Sequence, residues 1–292
     1  MESVIAALLL IQLLTTQAIK YTVVTETNSV IHRDRDFIES QEGAKKIVVE
    51  DDFHVLDEDM IQIRHKTPIF LMEKNYVLHK LEAGAFSDQE ISESIVITNS
   101  QITVIPTAAF RNLKIFELIL KDNEITHVEE EAITDLPNLE VINLSRNKIM
   151  LLHDNSFVDA PARFIDLAFN ELEEVREKWF SFMSEKEAVM VLLDNNMIRS
   201  VDPRSFDGLN LGILNLRDNR IRELPGEIFE NDTLSVVYLQ NNNLEMLPEA
   251  FFDLTHLNLA DLTGNSLDCE SQKKLEKFHE DSLATVVFEK SC

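Results

Sequence analysis

The stretch Val141-Ile-Asn-Leu-Ser-Arg-Asn147-Lys-Ile149 has apolar residues at positions 142, 144 and 149 and an asparagine at a fixed offset from them. The same pattern occurs eight times. Its Asn, replaced by Ser in the first copy, stands at Ser100, Asn123, Asn147, Asn170, Asn196, Asn219, Asn242 and Asn265. Successive differences between these positions are 23, 24, 23, 26, 23, 23 and 23 residues. A period this regular indicates a solenoid of stacked repeats.

Each copy begins with an alternation of apolar and polar residues, which is typical of a short strand with one buried face. The Asn follows where the chain has to leave the strand. A buried amide there can bond backbone groups that the turn leaves without partners, which an aliphatic side chain cannot do. We therefore expect the seven asparagines to form a structural ladder. Asn196→Ala should destabilise the fold, and Asn241→Ala, one residue before Asn242, should have little effect.

Two further apolar columns follow each Asn, five and ten residues later. The second column predicts an aromatic spine on the side of the solenoid opposite the strands, and its members are Phe110, Ile133, Phe157, Phe180, Phe206, Phe229 and Phe252. The longer step between Asn170 and Asn196 predicts a small insertion. We interpret this insertion as a helix through Glu171–Glu187.

The repeated pattern is identified as a leucine-rich repeat. From about Phe70 to Cys292, the chain resembles the secreted or cell-surface leucine-rich repeat superfamily, which includes Toll-like ectodomains and small matrix proteoglycans. The resemblance implies an α/β solenoid, a curved horseshoe with a parallel β-sheet on its concave face and loops or short helices on its convex face. The general architecture also loosely resembles insect secreted leucine-rich immune proteins. The N-terminal region departs from Toll-type receptors because it has no cysteine-rich cap.

The N-terminal residues resemble a targeting segment. An apolar run, Val4–Leu14, precedes the small residues of Thr16-Gln-Ala18, as in a signal peptide. The run is shorter than the ~18 apolar residues that a membrane span requires. We therefore expect a secreted, extracellular protein without a membrane span. The predicted segments are a signal peptide at 1–18, an N-terminal cap with a degenerate repeat at 19–68, repeats at 69–267 and a C-terminal cap at 268–292.

The C-terminal segment resembles the flanking cap of extracellular leucine-rich repeat proteins. That cap opens with two cysteines separated by one residue; Cys269 matches the first, and Ser271 stands where the second belongs. The resemblance implies a Cys269–Cys292 disulfide, which secretion would permit. Alternatively, Cys292 pairs with another chain, so a homo- or hetero-oligomer is a second interpretation.

Composition and motifs argue against nucleic-acid binding and against catalysis. The net charge is -25, from 52 acidic against 27 basic residues, and this charge repels phosphates. None of the eight histidines belongs to a metal-binding spacing such as HExxH, and no Gly-rich phosphate loop or nucleophile elbow occurs. We expect no enzyme activity, no metal and no cofactor.

The outward-pointing strand residues predict a binding surface. Solenoids usually bind partners on the concave face, onto which the residues between the inward leucines project. Exposed apolar groups ringed by charge have the composition of a protein interface. We expect a protein ligand to contact Phe164, Asp166, Phe169, Leu192, Asp194, Asn215, Arg217, Tyr238 and Gln240. Alternatively, the positions before each first inward residue, Phe164, Met190, Ile213 and Val236, are half-buried by their neighbours.

Two glycosylation sequons occur, Asn143-Leu-Ser145 and Asn231-Asp-Thr233. Asn231 is expected in a returning loop and is predicted to be modified. Asn143 lies on the predicted concave face, where a glycan would keep a ligand away.

Three functional hypotheses follow from this pattern. The first is a secreted protein-recognition scaffold that acts in innate immunity. The second is an extracellular-matrix or cell-surface protein with a structural or adhesive role. The third is a receptor-ectodomain-like ligand binder, an enzyme or an enzyme inhibitor that acts through the concave face.

Overall fold

The computed structural model describes residues 19–25, 30–35, 38–39, 44–49, 55–56, 61–63, 66–73, 78–230 and 233–292. The predicted signal peptide and the sequon residue Asn231 lie outside these ranges. The chain forms two compact units, Met1–Ala162 (unit 1) and Arg163–Cys292 (unit 2).

The main sheet of unit 1 has one strand per coil. Its strands are Ile19–Thr25, Val30–Arg35, Ala44–Val49, Thr67–Glu73, Ile91–Thr98, Glu117–Ile119 and Val141–Asn143. Ile19–Thr25 pairs antiparallel with both Val30–Arg35 and Ala44–Val49. From Ala44–Val49 onward all pairings are parallel, so regular coils begin before the first clear copy of the repeat.

Shorter strands complete the coils of unit 1. One three-stranded sheet contains Val104–Ile105, His127–Val128 and Leu151–Leu152, and a four-stranded sheet contains Phe86–Ser87, Phe110–Arg111, Ile133–Thr134 and Phe157–Val158. Two further pairs join Ile38–Glu39 to Ile61–Gln62 and Val55–Leu56 to Lys80–Leu81. The apolar core lies between these strands and the main sheet.

Unit 2 repeats the same plan. Its main strands are Phe164–Asp166, Val189–Leu192, Leu211–Asn215, Val236–Tyr238, Leu259–Asp261 and Thr285–Val287, all parallel. Its other elements are the paired strands Glu174–Val175 and Ser200–Val201, the 3-10 helices Gly226–Phe229 and Glu249–Asp253, and the α-helix Cys269–Asp281. The predicted solenoid of stacked parallel strands is therefore confirmed within each unit.

Buried asparagines join successive coils. The Nδ2 group of Asn196 donates to the carbonyl oxygens of Leu193 in its own turn and Leu167 in the preceding coil, both at 3.0 Å. Its Oδ1 accepts a hydrogen bond from the backbone N–H of Leu172 at 3.1 Å. The same three bonds recur at Asn147, Asn219, Asn242 and the half-buried Asn265. Asn123 forms both carbonyl bonds too, but its Oδ1 accepts from the backbone N–H of Ser100, at the preceding repeat position itself. One side chain thus closes its own turn and holds the neighbouring coil.

The turn before each ladder position requires a left-handed residue. Positive φ angles occur at Asn99, Asp122, Arg146, Phe169, Asn195, Asp218, Asn241 and Gly264, which are the residues directly before the eight repeat positions. Asn, Asp and Gly adopt this conformation most readily. The backbone conformation of the turn therefore favours Asn, Asp or Gly directly before each repeat position.

The aromatic spine stacks within each unit. The rings of Phe86 and Phe110 lie 5.2 Å apart, and those of Phe180 and Phe206 lie 5.5 Å apart. The prediction of Phe252 as the last buried member is wrong, because Phe251 is fully buried there and Phe252 is half-buried. Both rings contact Phe278 of the C-terminal α-helix, with centroids 5.8 Å apart for Phe251 and 6.0 Å apart for Phe252.

The predicted helix through Glu171–Glu187 is wrong. The segment forms the strand Glu174–Val175 and then a series of turns, with Lys178 at a φ of 72°. Trp179, Phe180 and Met183 are all buried. The left-handed residue breaks any helical run, and the turns bring the three apolar side chains into the core.

The C-terminal cap is held by a short helix and a disulfide. The carboxylate of Asp268 accepts a hydrogen bond from the backbone N–H of Ser271 at 2.7 Å, which caps the helix N-terminus and lowers the pKa of Asp268. A disulfide joins Cys269 to Cys292, with their Cα atoms 5.6 Å apart. Gln272 adds to this closure, because its Oε1 accepts from the backbone N–H of Ser291 at 2.9 Å.

Asn196→Ala should lower the free energy of unfolding by about 1–3 kcal/mol. The buried N–H of Leu172 and the two carbonyl oxygens that accept from Asn196 would all lose their hydrogen bonds to this side chain. Urea denaturation would measure this loss. Asn243→Ala, at an exposed side chain after the ladder position Asn242, is the neutral control. The expectation that Asn241→Ala is silent is wrong, because Asn241 has a φ of 56° and donates to Asp218 Oδ1 at 2.7 Å. An unchanged unfolding midpoint for Asn196→Ala would exclude a supporting role for its amide.

Peptide mapping of the unreduced protein should recover Cys269 and Cys292 in one linked pair. The cross-link spans 23 residues, so replacing both cysteines with serine should lower the free energy of unfolding by about 3 kcal/mol on the loop-entropy argument. Denaturation of the double variant tests the magnitude. A linked dimer that becomes monomeric on reduction would contradict the intrachain bond.

Candidate functional site

Two rows of outward side chains cross the strands of unit 2 in register. The apolar row consists of Phe164, Met190, Ile213, Val236 and Leu259. The mixed row lies two residues further along each strand and consists of Asp166, Leu192, Asn215, Tyr238 and Asp261. We call the surface formed by both rows the strand face. Neighbouring members of a row are separated by the strand spacing of about 4.8 Å.

The apolar row is a continuous stripe. All five of its side chains are half-buried, which agrees with the alternative interpretation from sequence that neighbours partly cover these positions. Five strands at about 4.8 Å give a stripe about 19 Å long. Each side chain therefore contributes to packing and also presents apolar surface to solvent.

Leu192 and Tyr238 lie outside the core. Both side chains are half-buried, whereas the residues on either side of Leu192, Val191 and Leu193, are completely buried. Val237 and Leu239 enclose Tyr238 in the same way and are also completely buried. The alternation of the strand thus fills the core without either residue of the mixed row.

The polar members of the mixed row have a local structural role. Each side-chain oxygen accepts a hydrogen bond from the backbone N–H two residues later. Asp166 accepts from Ala168 at 3.0 Å, Asn215 from Arg217 at 3.2 Å and Asp261 from Thr263 at 3.0 Å. These bonds stabilise the chain where it leaves the strand.

The remaining predicted contact residues differ in accessibility. Asp194 is 9% exposed, and its carboxylate accepts from the side-chain amides of Asn195 at 2.8 Å and Asn215 at 2.9 Å. Arg217 is exposed and forms an ion pair with Asp218 at 2.8 Å. Gln240 is half-buried, and its Oε1 is a buried acceptor without a donor in the part of the chain that the structure describes. Arg217 is the polar group of this set that solvent reaches best.

Phe169 combines exposure with an unusual backbone. It has a φ of 56° and is 42% exposed. The equivalent positions in the later coils of unit 2 are Asn195, Asp218, Asn241 and Gly264, residue types that tolerate this conformation. A bulky aromatic residue there is strained by about 1–2 kcal/mol. Strain of this kind often marks a functional position. Sequence periodicity alone did not reveal the strained backbone of Phe169, although the Asn, Asp and Gly residues at the equivalent positions of other coils were visible in the sequence.

The sequon at Asn143 lies at the end of a strand of unit 1. Its side chain is half-buried, and Oδ1 accepts from the backbone N–H of Ser145 at 3.0 Å and from the hydroxyl of Ser145 at 2.7 Å. The bond to the backbone is the same local turn that Asp166, Asn215 and Asp261 form. Modification of Asn143 remains a prediction.

Within the described ranges, no group of three or more His, Cys, Asp or Glu side chains could hold a metal ion. Among the same residues, no helix has the length and apolar character needed to cross a bilayer.

Phe169→Asn should leave the unfolding midpoint unchanged or raise it, because Asn relieves the strain of a left-handed aromatic residue. Thermal denaturation would measure the shift. The matched control is Phe180→Ala, which should lower the free energy of unfolding by about 3–5 kcal/mol because Phe180 is completely buried. A large loss of stability for Phe169→Asn would show that Phe169 belongs to the core.

Comparison with known proteins agrees with this geometry. The family model described as "Leucine rich repeat" matches residues 114–162 and 210–267. The human Leucine-rich repeats and immunoglobulin-like domains protein 1 is 28% identical over 130 residues, which cover 44% of this chain and 12% of that protein. Tsukushi of Xenopus tropicalis is 29% identical over 121 residues, which cover 41% of this chain and 31% of that protein. The matched part thus spans less than a third of either relative.

A crystal structure of a TLR13–ssRNA13 complex is similar in fold, with a TM-score of 0.51 and 17% sequence identity. The similarity covers 76% of this chain and 36% of that chain. At this level of identity it indicates the fold alone. The repeat pattern, the stacked parallel strands and the family match together show that the chain carries leucine-rich repeats.

Proposed function

We propose that the protein is an extracellular recognition scaffold that binds a protein partner through the strand face of unit 2. The observation that carries this proposal is the position of Leu192 and Tyr238. Both lie in register beside the apolar row, outside a core that their neighbours already fill.

The physical argument concerns apolar surface that gives little stability to the fold. A half-buried Leu or Tyr beside a complete core leaves part of its surface in contact with water, and a partner would gain by covering it. Protein interfaces commonly place aromatic and aliphatic anchors inside a polar rim. Here the exposed Arg217 and the half-buried Gln240 supply polar groups on one side of the mixed row, whereas Asp194 is nearly buried.

Charge favours a protein over a nucleic acid as the partner. The similar TLR13 structure is a complex with ssRNA13. The present chain carries a net charge of -25, which opposes the approach of phosphates. We therefore assign the strand face to protein recognition.

The proposal also includes secretion of the protein and a role in innate defence. The Cys269–Cys292 disulfide supports secretion, because such bonds persist in oxidising compartments. The sequence features of residues 1–18 support it as well. The defence role is based on the loose resemblance to insect secreted immune proteins. A matrix or adhesion protein would use the same surface for a fibrous or cell-surface ligand, and the identity of a captured partner distinguishes the two roles.

Capture experiments with surface variants test the proposal. The immobilised protein would be exposed to extracellular fluid of the source organism, alongside the variants Leu192→Asp and Tyr238→Ala. Each variant should weaken partner capture by ~2 kcal/mol or more, about thirtyfold in affinity, if the residue is an anchor. Both should keep an unfolding midpoint within a few degrees of the parent, because neither residue belongs to the core.

Met246→Asp is the matched control, because Met246 is 57% exposed in unit 2 and belongs to neither row. Glu130→Lys tests an exposed charge in a loop of unit 1. Both controls should capture the partner normally. Unfolding of Leu192→Asp would show that Leu192 is core, and normal capture by both anchor variants would place recognition on another surface.

A further inference from the structure

We infer that the partner segment on the strand face is an amphipathic α-helix whose apolar side is flanked by Lys or Arg. This inference rests on the proposed function and specifies the chemistry of its ligand. It follows from the spacing of the apolar groups, the bonding of the polar group between them and the charge of the neighbouring carboxylates.

The spacing matches a helix that crosses the strands. Leu192 and Tyr238 occupy the same register two strands apart, a separation of about 9.6 Å. Residues i and i+7 of an α-helix are separated by about 10.5 Å along its axis and lie on the same side. An extended peptide places same-side residues about 6.6–6.8 Å apart, which matches neither one strand spacing nor two. A helix therefore fits the periodicity of this face better than an extended segment.

Asn215 lies in the mixed row between Leu192 and Tyr238. Its Nδ2 donates to Asp194 Oδ1 at 2.9 Å, and its Oδ1 accepts from the backbone N–H of Arg217 at 3.2 Å. Covering a polar group is less costly when its hydrogen bonds are already made. An apolar side chain at i+3 or i+4 of the helix can therefore lie over Asn215, between Leu192 and Tyr238.

The apolar row extends the contact on one side. Met190, Ile213 and Val236 lie beside the mixed row on the same three strands. Phe164 and Leu259 continue the stripe to about 19 Å, which is the length of a helix of about 13 residues. A helix of three to four turns would cover the whole row.

The carboxylates that border the face favour a cationic flank on the helix. Asp194 accepts hydrogen bonds only from neutral amides, and Asp261 accepts them from the backbone and hydroxyl of Thr263. Neither has a cationic partner among the described residues. The exposed Arg217, two residues after Asn215, is paired with Asp218. Lys or Arg on the partner would complement this charge and would be attracted by a chain of net charge -25.

Synthetic peptides of Leu and Lys test the inference directly. The helical probe has about 14 residues, close to the length of the stripe, with Leu at the i, i+3, i+4 and i+7 positions and Lys elsewhere. A permuted peptide of equal composition lacks the apolar side, and a third peptide carries Glu in place of Lys. Fluorescence anisotropy measures binding to the full chain, and circular dichroism measures helix formation.

The helical Lys peptide should bind at least tenfold more tightly than either comparison peptide and should gain helix on binding. Its affinity should fall as salt is added. Leu192→Gln and Tyr238→Ala should each weaken it about tenfold or more. Met246→Gln should bind the peptide as the parent does.

Asp261→Asn tests how much the negative charge of Asp261 contributes to binding of the Lys peptide. The equivalent positions at Asn143 and Asn215 already carry Asn with the same backbone bond, so this variant should fold normally. It should weaken the Lys peptide and reduce the salt dependence of binding. Glu130→Gln removes the same charge from an exposed loop of unit 1 and should change neither quantity.

Equal binding of the permuted and helical Lys peptides would overturn the helical partner, and equal binding of the Glu peptide would overturn the cationic one. A further result separates this inference from the proposed function. If none of the peptides binds while Leu192→Asp and Tyr238→Ala still abolish capture of the protein partner, the inference fails and the recognition surface stands. If capture is also indifferent to both substitutions, the proposed function fails too.

Discussion

Within each unit, the carboxamide of an Asn joins one coil to the next. At Asn196 a single side chain donates to carbonyl oxygens in two coils and accepts an N–H from the preceding coil. The turn that follows each strand could not be buried without these bonds, because its backbone groups would lose water without replacement. The ladder thus fixes where every strand ends. Strands that end at the same point stack in register, and this register creates the two rows of the strand face.

The same register separates residues that fold the protein from residues that can bind. In the strand Val189–Leu192 the inward positions are completely buried, and Leu192 points away from them. The outward positions can therefore change without opening a cavity, which is why repeat proteins vary their binding surfaces on a constant core. Phe169 differs, because the left-handed turn penalises an aromatic residue at that position.

Periodicity predicted the solenoid and its inward residues because each coil repeats the same environment. It failed where a residue has no equivalent neighbour. Phe252 follows the repeat spacing, but the adjacent Phe251 takes the fully buried position, where it contacts Phe229 of the preceding coil and Phe278 of the capping helix. The insertion before Met183 has no counterpart in other coils, and spacing gave no information on its turns. At the candidate site, sequence identified the outward positions. It did not identify the hydrogen bonds through which Asn215 stabilises the end of its strand.

Those bonds distinguish the members of the mixed row. Asp166, Asn215 and Asp261 each accept the backbone N–H two residues later, a hydrogen bond worth about 0.5–1.5 kcal/mol, and Asn143 of unit 1 does the same. Neither leucine nor the ring of tyrosine can accept such a bond, so the coils with Leu192 and Tyr238 lack this side-chain stabilisation. Folding alone would favour Asn or Asp at both positions. The two apolar residues therefore occur where the fold gains least from them, and recognition of an apolar partner gives a physical reason for their presence.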